Sequence, residues 1–311
     1  MRSNLFTFSN RQVQIGLALV IVLVLVFLLW FQGGEETEPE PVVVEEEPIS
    51  EPMEPLVTTE VVGMSVEGRE IEAVTFRSPT PPQNELEENT THTLFVGGIH
   101  GGYEWNTVLL AYKFIDHFQA NPEAIPAGAV VSIIPNANPD AVFKLVQRTK
   151  DFTEMDVMVS SVSAASTRFN ASGVDLNRNF ACKWAPESSW RGEVVSAGSE
   201  AFSEPEARAI RDFVLAQRPD QVVFWHSAAG NVYGSECEAG ILPGTMTLMN
   251  TYAKAAGYGA VPSFDAYPIT GDAEGWLASI GIPAVTVELT THSDLEWEKN
   301  LRGVQAVLPL R

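Results

Sequence analysis

The sequence predicts an α/β domain built on a mixed β-sheet with helices on both faces, preceded by a single N-terminal transmembrane helix. Three observations lead there. Short β-rich runs recur from residue 70 onward, and most are near-continuously apolar, the mark of strands covered on both faces. Helical patterns lie between those runs, which is the alternation of an α/β domain with a mainly parallel or mixed sheet. Residues 15–31 form a run of seventeen residues without a charge.

Taken in chain order, residues 1–12 hold Arg2 and Arg11 and read as a cytoplasmic N-terminus. Residues 13–32 read as the anchor, because Val13, Gln14 and Gln32 extend the apolar run toward the ~20 residues a bilayer core requires. Basic residues before it and Glu35 and Glu36 after it predict a single-pass protein whose main domain is extracellular or periplasmic. A cleaved signal peptide is the competing reading, but Leu-Trp-Phe-Gln follows the run where small residues would mark a cleavage site. Residues 33–60 hold ten glutamates and five prolines and no Lys or Arg, so they read as an extended acidic linker. Residues 61–311 then read as one domain. Its expected strands are Glu70–Phe76, Thr93–Ile99, Ala129–Ile134, Gln221–Trp225 and Pro283–Leu289. Its expected helices are Thr107–Phe118, one opened by a capping box at Ser203–Glu206, Thr245–Ala256 and Asp294–Val307.

Charge narrows the function. Lys and Arg number 19 against 40 Asp and Glu, a formal net charge of −21. Such a chain lacks the clustered cations that phosphate binding needs, so nucleic acid is not an expected partner. Two cysteines are too few for a disulfide scaffold or a zinc site made of cysteine alone.

The candidate chemistry lies at strand ends, where α/β sheets bind ligands. Of five histidines, His100 ends the Thr93–Ile99 run and His226 ends the Gln221–Trp225 run. Glu104 follows His100 by four residues. Two imidazoles and a carboxylate at converging strand ends would make a three-ligand zinc site with an open fourth position, although each residue taken alone is more often an ordinary loop group. Arg178, in Gly173–Phe180 (GVDLNRNF), offers a fork that fits a carboxylate, and Asn177 adds an amide donor; a buried Asp175–Arg178 pair is the alternative. Glu288 ends the last strand, where a carboxylate suits a general base, or else a structural ion pair.

Together these segments resemble the zinc metallocarboxypeptidase family of the carboxypeptidase A and B type, most closely its bacterial members, from about residue 60 to the C-terminus. The order His100, Glu104, Arg168, Asn177-Arg178, His226-Ser227, Tyr267 and Glu288 follows the family's order, and Gly173–Phe180 is the most specific part. Weaker echoes are Gly63–Arg69, Asn138-Pro139-Asp140 and Ser203–Glu206. One departure is that the family spaces its first ligands as H-x-x-E, whereas His100-Gly-Gly-Tyr-Glu104 is one residue longer. A Gly-Gly turn can absorb the extra residue, because glycine reaches φ > 0.

The resemblance implies one Zn2+ per chain held by His100, Glu104 and His226, and a water activated by zinc and Glu288. It implies that Arg168 stabilises the oxyanion, with Arg148 as the alternative. Asn177, Arg178 and Tyr267 would grip the free C-terminal carboxylate of a peptide or a cell-wall stem peptide. Glu274 falls at the pocket-floor position, where an acid implies a preference for a basic C-terminal residue or for the amine of diaminopimelate; a solvated loop acid is the alternative. Cys182 and Cys237 would lie near the site, as a disulfide or as two buried thiols. Two rival readings remain: a zinc-dependent acyl-amino-acid deacylase, and a membrane-anchored binding module in which the longer His-Glu spacing has cost the metal.

Overall fold

The computed structural model describes residues 10–31, 56–80 and 91–310, with side chains described from residue 20 onward and not at residue 31. The expected N-terminal tail to residue 9, residue 32 of the expected anchor and residues 33–55 of the acidic linker lie outside the described residues. The chain divides into two compact units, residues 1–53 and 54–311.

In the first unit, α1 is Asn10–Phe31. Its described side chains are those of Val20–Trp30, about half the ~20 residues a bilayer core requires. Among the described residues no helix is long and apolar enough to cross a membrane. The expectation of a single-pass anchor over residues 13–32, with the lipid bilayer as a partner and the main domain outside the cell, is therefore overturned.

The second unit begins with β1 (Val57–Met64) and β2 (Glu70–Arg77). β1 starts inside the stretch read as linker. It pairs antiparallel with β2 from Val57 onward, so the folded unit begins before residue 61. Next come β3 (Thr91–Val96), α2 (Trp105–Ala120), β4 (Ala129–Ile134), α3 (Pro139–Val146) and α4 (Glu154–Met158). A hairpin follows, β5 (Glu187–Trp190) and β6 (Glu193–Ser196), then α5 (Pro205–Gln217) and β7 (Gln221–Ser227). The short strands β8 (Asn231–Gly234), β9 (Glu236–Cys237) and β10 (Gly240–Ile241) precede α6 (Pro243–Ala256) and β11 (Gly259–Val261). The unit closes with α7 (Ala273–Ser279), β12 (Ala284–Leu289) and α8 (Trp297–Val307).

Eight strands form one mixed sheet in the order β1-β2-β4-β3-β7-β12-β8-β11. β4, β3, β7 and β12 run parallel at its centre. Their alternate side chains enter two separate cores. Phe95, Val223, Trp225 and Val287 pack with Phe114 of α2, Tyr252 of α6 and Val304 of α8. Leu94, Val96, Val222 and Phe224 pack with Ile210 and Val214 of α5 and Leu277 of α7. Burial on both faces is why these strands read as continuous apolar runs.

Two of the weaker sequence echoes meet in space. The Asp140 carboxylate accepts from Ser65 Oγ at 2.6 Å, the Glu67 amide at 2.9 Å and Arg69 Nη1 at 2.6 Å. The third echo is corrected. α5 starts at Pro205 with Glu204 as its cap and no side-chain capping bond, while Ser203 Oγ donates to Glu204 Oε1 at 2.8 Å. Proline at the first helical position brings the φ of a helix and has no amide to leave unpaired there.

Cys182 and Cys237 form a disulfide, with Cα atoms 6.1 Å apart. It ties the segment after Asn177-Arg178 to β9.

Candidate active site

The topology brings three strand ends together. β3 and β7 are parallel neighbours, and the strand order runs one way through β4 and the other through β12, so a crevice opens beyond their C-terminal ends. His100 follows β3, His226 lies on β7, and Glu288 lies on β12 directly paired with His226 across the ladder.

The longer His-Glu spacing does not separate the two side chains. Gly101–Glu104 winds as a 3-10 turn, and His100 Nδ1 lies 2.8 Å from Glu104 Oε1. The turn depends on its two glycines. Gly101 has φ +49°, and a Cβ there would meet Ala141 Cβ at 2.3 Å; a Cβ on Gly102 would meet Thr167 Oγ1 at 2.4 Å. This removes the basis for reading the spacing as a broken site.

His226 Nδ1 lies 3.2 Å from His100 Nδ1 and 3.1 Å from Glu104 Oε2. The three side chains are buried, and Glu104 Oε2 makes no hydrogen bond. One donor atom from each of the three residues lies within 4.8 Å of the others, an arrangement that could hold a metal ion. The electrostatics agree with a cation. Burial opposes charge on His226, yet Glu104 holds its imidazole pKa well above the ordinary value, so the donor set favours a positive charge at that point. Burial likewise opposes charge on Glu104, but His100 and His226 outweigh it and hold the carboxyl well down. The donor set therefore fits zinc: two imidazole nitrogens and one carboxylate, closed in by protein.

Each imidazole has an acidic partner on its far side. His100 Nε2 lies 3.4 Å from Asp175 Oδ1, and His226 Nε2 lies 3.2 Å from Glu274 Oε1. His100 Nε2 makes no hydrogen bond, so it is the carboxylate on His226 that fixes the tautomer and ring orientation, as outer carboxylates do for metal-binding histidines. Asp175 also takes Arg168 Nε at 3.0 Å and Nη2 at 2.9 Å. The Asp175–Arg178 pair weighed from the sequence is thus replaced by Asp175–Arg168. Only the spatial neighbourhood decides between two arginines close in sequence, so sequence spacing could not find Asp175's role. Arg168 Nη1 lies 3.8 Å from Glu104 Oε1, and its guanidinium stacks 4.5 Å from the ring centre of Trp190. Arg148 stays exposed and pairs with Asp156 at 3.6 Å, away from these residues.

A cavity of about 850 Å³ opens over this cluster, and it is lined by all nine site residues named from the sequence. Arg178 donates to its neighbour's Asn177 O at 2.6 Å and to Ser189 O at 3.2 Å, and its buried Nε makes no hydrogen bond. Asn177 Oδ1 accepts from the Ala273 amide at 2.8 Å, which fixes its amide group. Tyr267 is half-buried in the cavity lining, packed 4.8 Å from Phe264. Glu274 is buried rather than a solvated loop acid, and its Oε1 also accepts from Thr286 Oγ1 at 2.8 Å. Burial pushes its carboxyl up, but the hydrogen bond and charge of His226 prevail and the net shift is downward. The adjoining Asp272 is pushed up to about 6, by burial and then by Glu274. Glu288 is pushed up to about 7, by burial and then by Glu104, and its Oε2 makes no hydrogen bond.

A sequence model of the zinc carboxypeptidase family matches residues 49–296. The chain belongs to this family. As a zinc carboxypeptidase family member, it is 24% identical over 206 residues to the gamma-D-glutamyl-L-diamino acid endopeptidase 1 of Lysinibacillus sphaericus, a match that covers 60% of this chain. The chain spans about half the length of that curated relative, 51%. Among solved structures it is similar to a murein-tripeptide amidase from Escherichia coli, with a TM-score of 0.56, 22% identity, and coverage of 81% of this chain and 92% of that one. It is also similar to the carboxypeptidase A of Helicoverpa armigera, with a TM-score of 0.59, 19% identity, and coverage of 82% and 69%. At these identities the structural likeness shows the fold alone.

Proposed function

We propose that the chain is a zinc-dependent carboxypeptidase that removes the C-terminal residue of peptides or of cell-wall stem peptides. The observation that carries this is the pairing of Glu288 with His226 across the ladder, which sets a half-buried carboxylate, whose buried Oε2 makes no hydrogen bond, beside a donor set that could hold a cation. His100, Glu104 and His226 would hold zinc, which when bound acts as a Lewis acid toward the scissile carbonyl and acidifies water.

The chain's own groups supply the rest. Glu288 takes the proton of the attacking water and returns it to the leaving amine; with its pKa near 7, it exchanges protons readily at neutral pH. Arg168, held by Asp175 and Trp190, turns a guanidinium toward the developing oxyanion. Arg178, Asn177 and Tyr267 receive the terminal carboxylate, which makes the enzyme an exopeptidase. Asp272 and Glu274 line the same cavity, and as acids they would favour a terminal residue with a cationic side chain. The name of the curated Lysinibacillus sphaericus relative points the same way, since a diamino acid carries such an amine.

The test is release of the terminal residue from peptides ending in Lys, Phe, Glu or diaminopimelate, with and without a chelator. The expected result is chelator-sensitive release, with kcat/KM for Lys above Phe by roughly 10–100-fold, the worth of one charge-assisted hydrogen bond. A preference for Phe would remove the role of Glu274. Release that ignores the chelator would remove the metal mechanism.

A further inference from the structure

A chain of hydrogen bonds joins α2, the end of β7 and the loop after β12, and its donors fix its direction. Asn106 is buried, and its Nδ2 donates to Thr291 O at 2.8 Å and to Asp294 O at 3.0 Å. Two carbonyls there require the amide nitrogen, so Asn106 Oδ1 faces the other way as an acceptor. Ser227 Oγ lies 3.0 Å from that oxygen and donates its one proton to it. The same Oγ lies 2.9 Å from His292 Nδ1. With its proton spent, the hydroxyl can only accept, so His292 carries its own proton on Nδ1. Ser227 is therefore not a nucleophile activated by this histidine.

The tautomer leaves a lone pair on Nε2. His292 lines the cavity, and its Nε2 makes no hydrogen bond with the described residues and is not one of their buried atoms. An imidazole of ordinary pKa, about 6.5, is neutral at pH 8, and burial lowers that of His292 further. An acceptor thus stands open in the cavity wall.

Its place along the cleft follows from the strands. Thr286 and Glu288 share a face of β12, which ends at Leu289, and His292 lies beyond that end. Glu274, bound to Thr286 Oγ1, marks the inner part of the cleft. Glu288 comes next, and His292, bound to Ser227 past the Glu288–His226 rung, marks the outer part. A peptide whose last side chain reaches Glu274, and whose last peptide carbonyl lies by Glu288, leaves the cleft past His292. The Arg168 guanidinium lies 5.7 Å from the Tyr103 ring, and His292 packs 4.5 Å from the same ring. A guanidinium so near disfavours an ammonium group at His292 and favours a neutral N–H donor.

We propose that His292 is a substrate-binding residue whose Nε2 accepts the amide N–H of the residue just before the scissile bond, and that Ser227 and Asn106 are positioning residues that fix its tautomer and its ring. The preferred substrates then carry a neutral N–H at that place. This rests on the carboxypeptidase reading above.

The test uses the full chain at pH 8 and two substrates that differ in one group: acetyl-Ala-Lys, and acetyl-lactyl-Lys, in which an ester oxygen replaces the alanine N–H. Wild type is expected to favour the amide in kcat/KM by roughly 3–10-fold, the worth of one neutral hydrogen bond. His292→Asn keeps a donor at the Nδ1 position and lacks Nε2, and it is expected to bring the ratio to about 1. His292→Gln, whose amide can reach the Nε2 position, is expected to keep part of the preference. Ser227→Ala, which frees the ring, is expected to lower it. No preference in wild type, or a preference that survives His292→Asn while both substrates slow equally, overturns the proposal. If neither substrate is cleaved, the carboxypeptidase reading fails instead. Calorimetric binding of the two substrates to zinc-loaded protein then decides the matter for His292, with equal Kd values overturning its role and a tighter amide supporting it.

Discussion

Glu288→Gln is expected to lower kcat by roughly 10²–10⁴-fold while zinc content stays as in wild type, because the amide keeps the shape but cannot take a proton. Its effect on stability has the opposite sign. The folded chain holds the Glu288 carboxyl at about 7, against an ordinary 4.5. The folded state thus binds this proton more tightly than the unfolded state does. The stability that follows is full below pH 4.5 and is lost as pH rises through about 7. In chelator-treated protein, Glu288→Gln should therefore leave the melting temperature almost unchanged at pH 4 and raise it at pH 8. The gain at pH 8 is at most on the order of 3 kcal/mol, since a tenfold difference in proton affinity between the two states corresponds to about 1.4 kcal/mol. A variant that loses activity and stability together at pH 8 would instead make Glu288 a structural ion-pair partner.

Replacing both Cys182 and Cys237 by Ser is expected to lower unfolding stability by about 4 kcal/mol, the chain-entropy value for a closed loop of this length. The loss has a local address. Gly271 donates its amide to Cys182 O at 2.7 Å, and Phe180 donates to Gly271 O at 2.8 Å, so the bridged segment pairs with the end of the loop that carries Tyr267. KM should rise more than kcat falls, because the bridge holds groups that grip substrate and not those that move protons. Urea unfolding of the double variant beside wild type measures the first effect, and steady-state kinetics the second. A stability change below about 1 kcal/mol would mean that native contacts alone hold the loop.

What was legible in the sequence followed from burial. β2, β3, β4, β7 and β12 stood out because the sheet is covered on both faces, and His100, His226 and Glu288 were legible because they end or follow three of those strands. The edges were not. β8 and β11 have four and three residues, with Asn, Gly and Tyr among them, too few for a periodicity to register. The β5–β6 hairpin, rich in Ser and Glu, was invisible for the same reason, and with it Trp190 under Arg168. The Asp175 partner is not legible in the sequence, where Arg178 is nearer along the chain, because Arg168 is nearer in space. The longest apolar run was over-read: length and lack of charge suggested an anchor, and the described helix does not supply a span.

The most direct test is the zinc content of the purified full chain, wild type beside His226→Ala, by atomic absorption after exhaustive dialysis. One zinc per wild-type chain and none in the variant is the expected result, with the variant's melting temperature no longer sensitive to added zinc. Wild-type protein that holds no zinc, or a variant that keeps it, would contradict a metal centre at His100, Glu104 and His226.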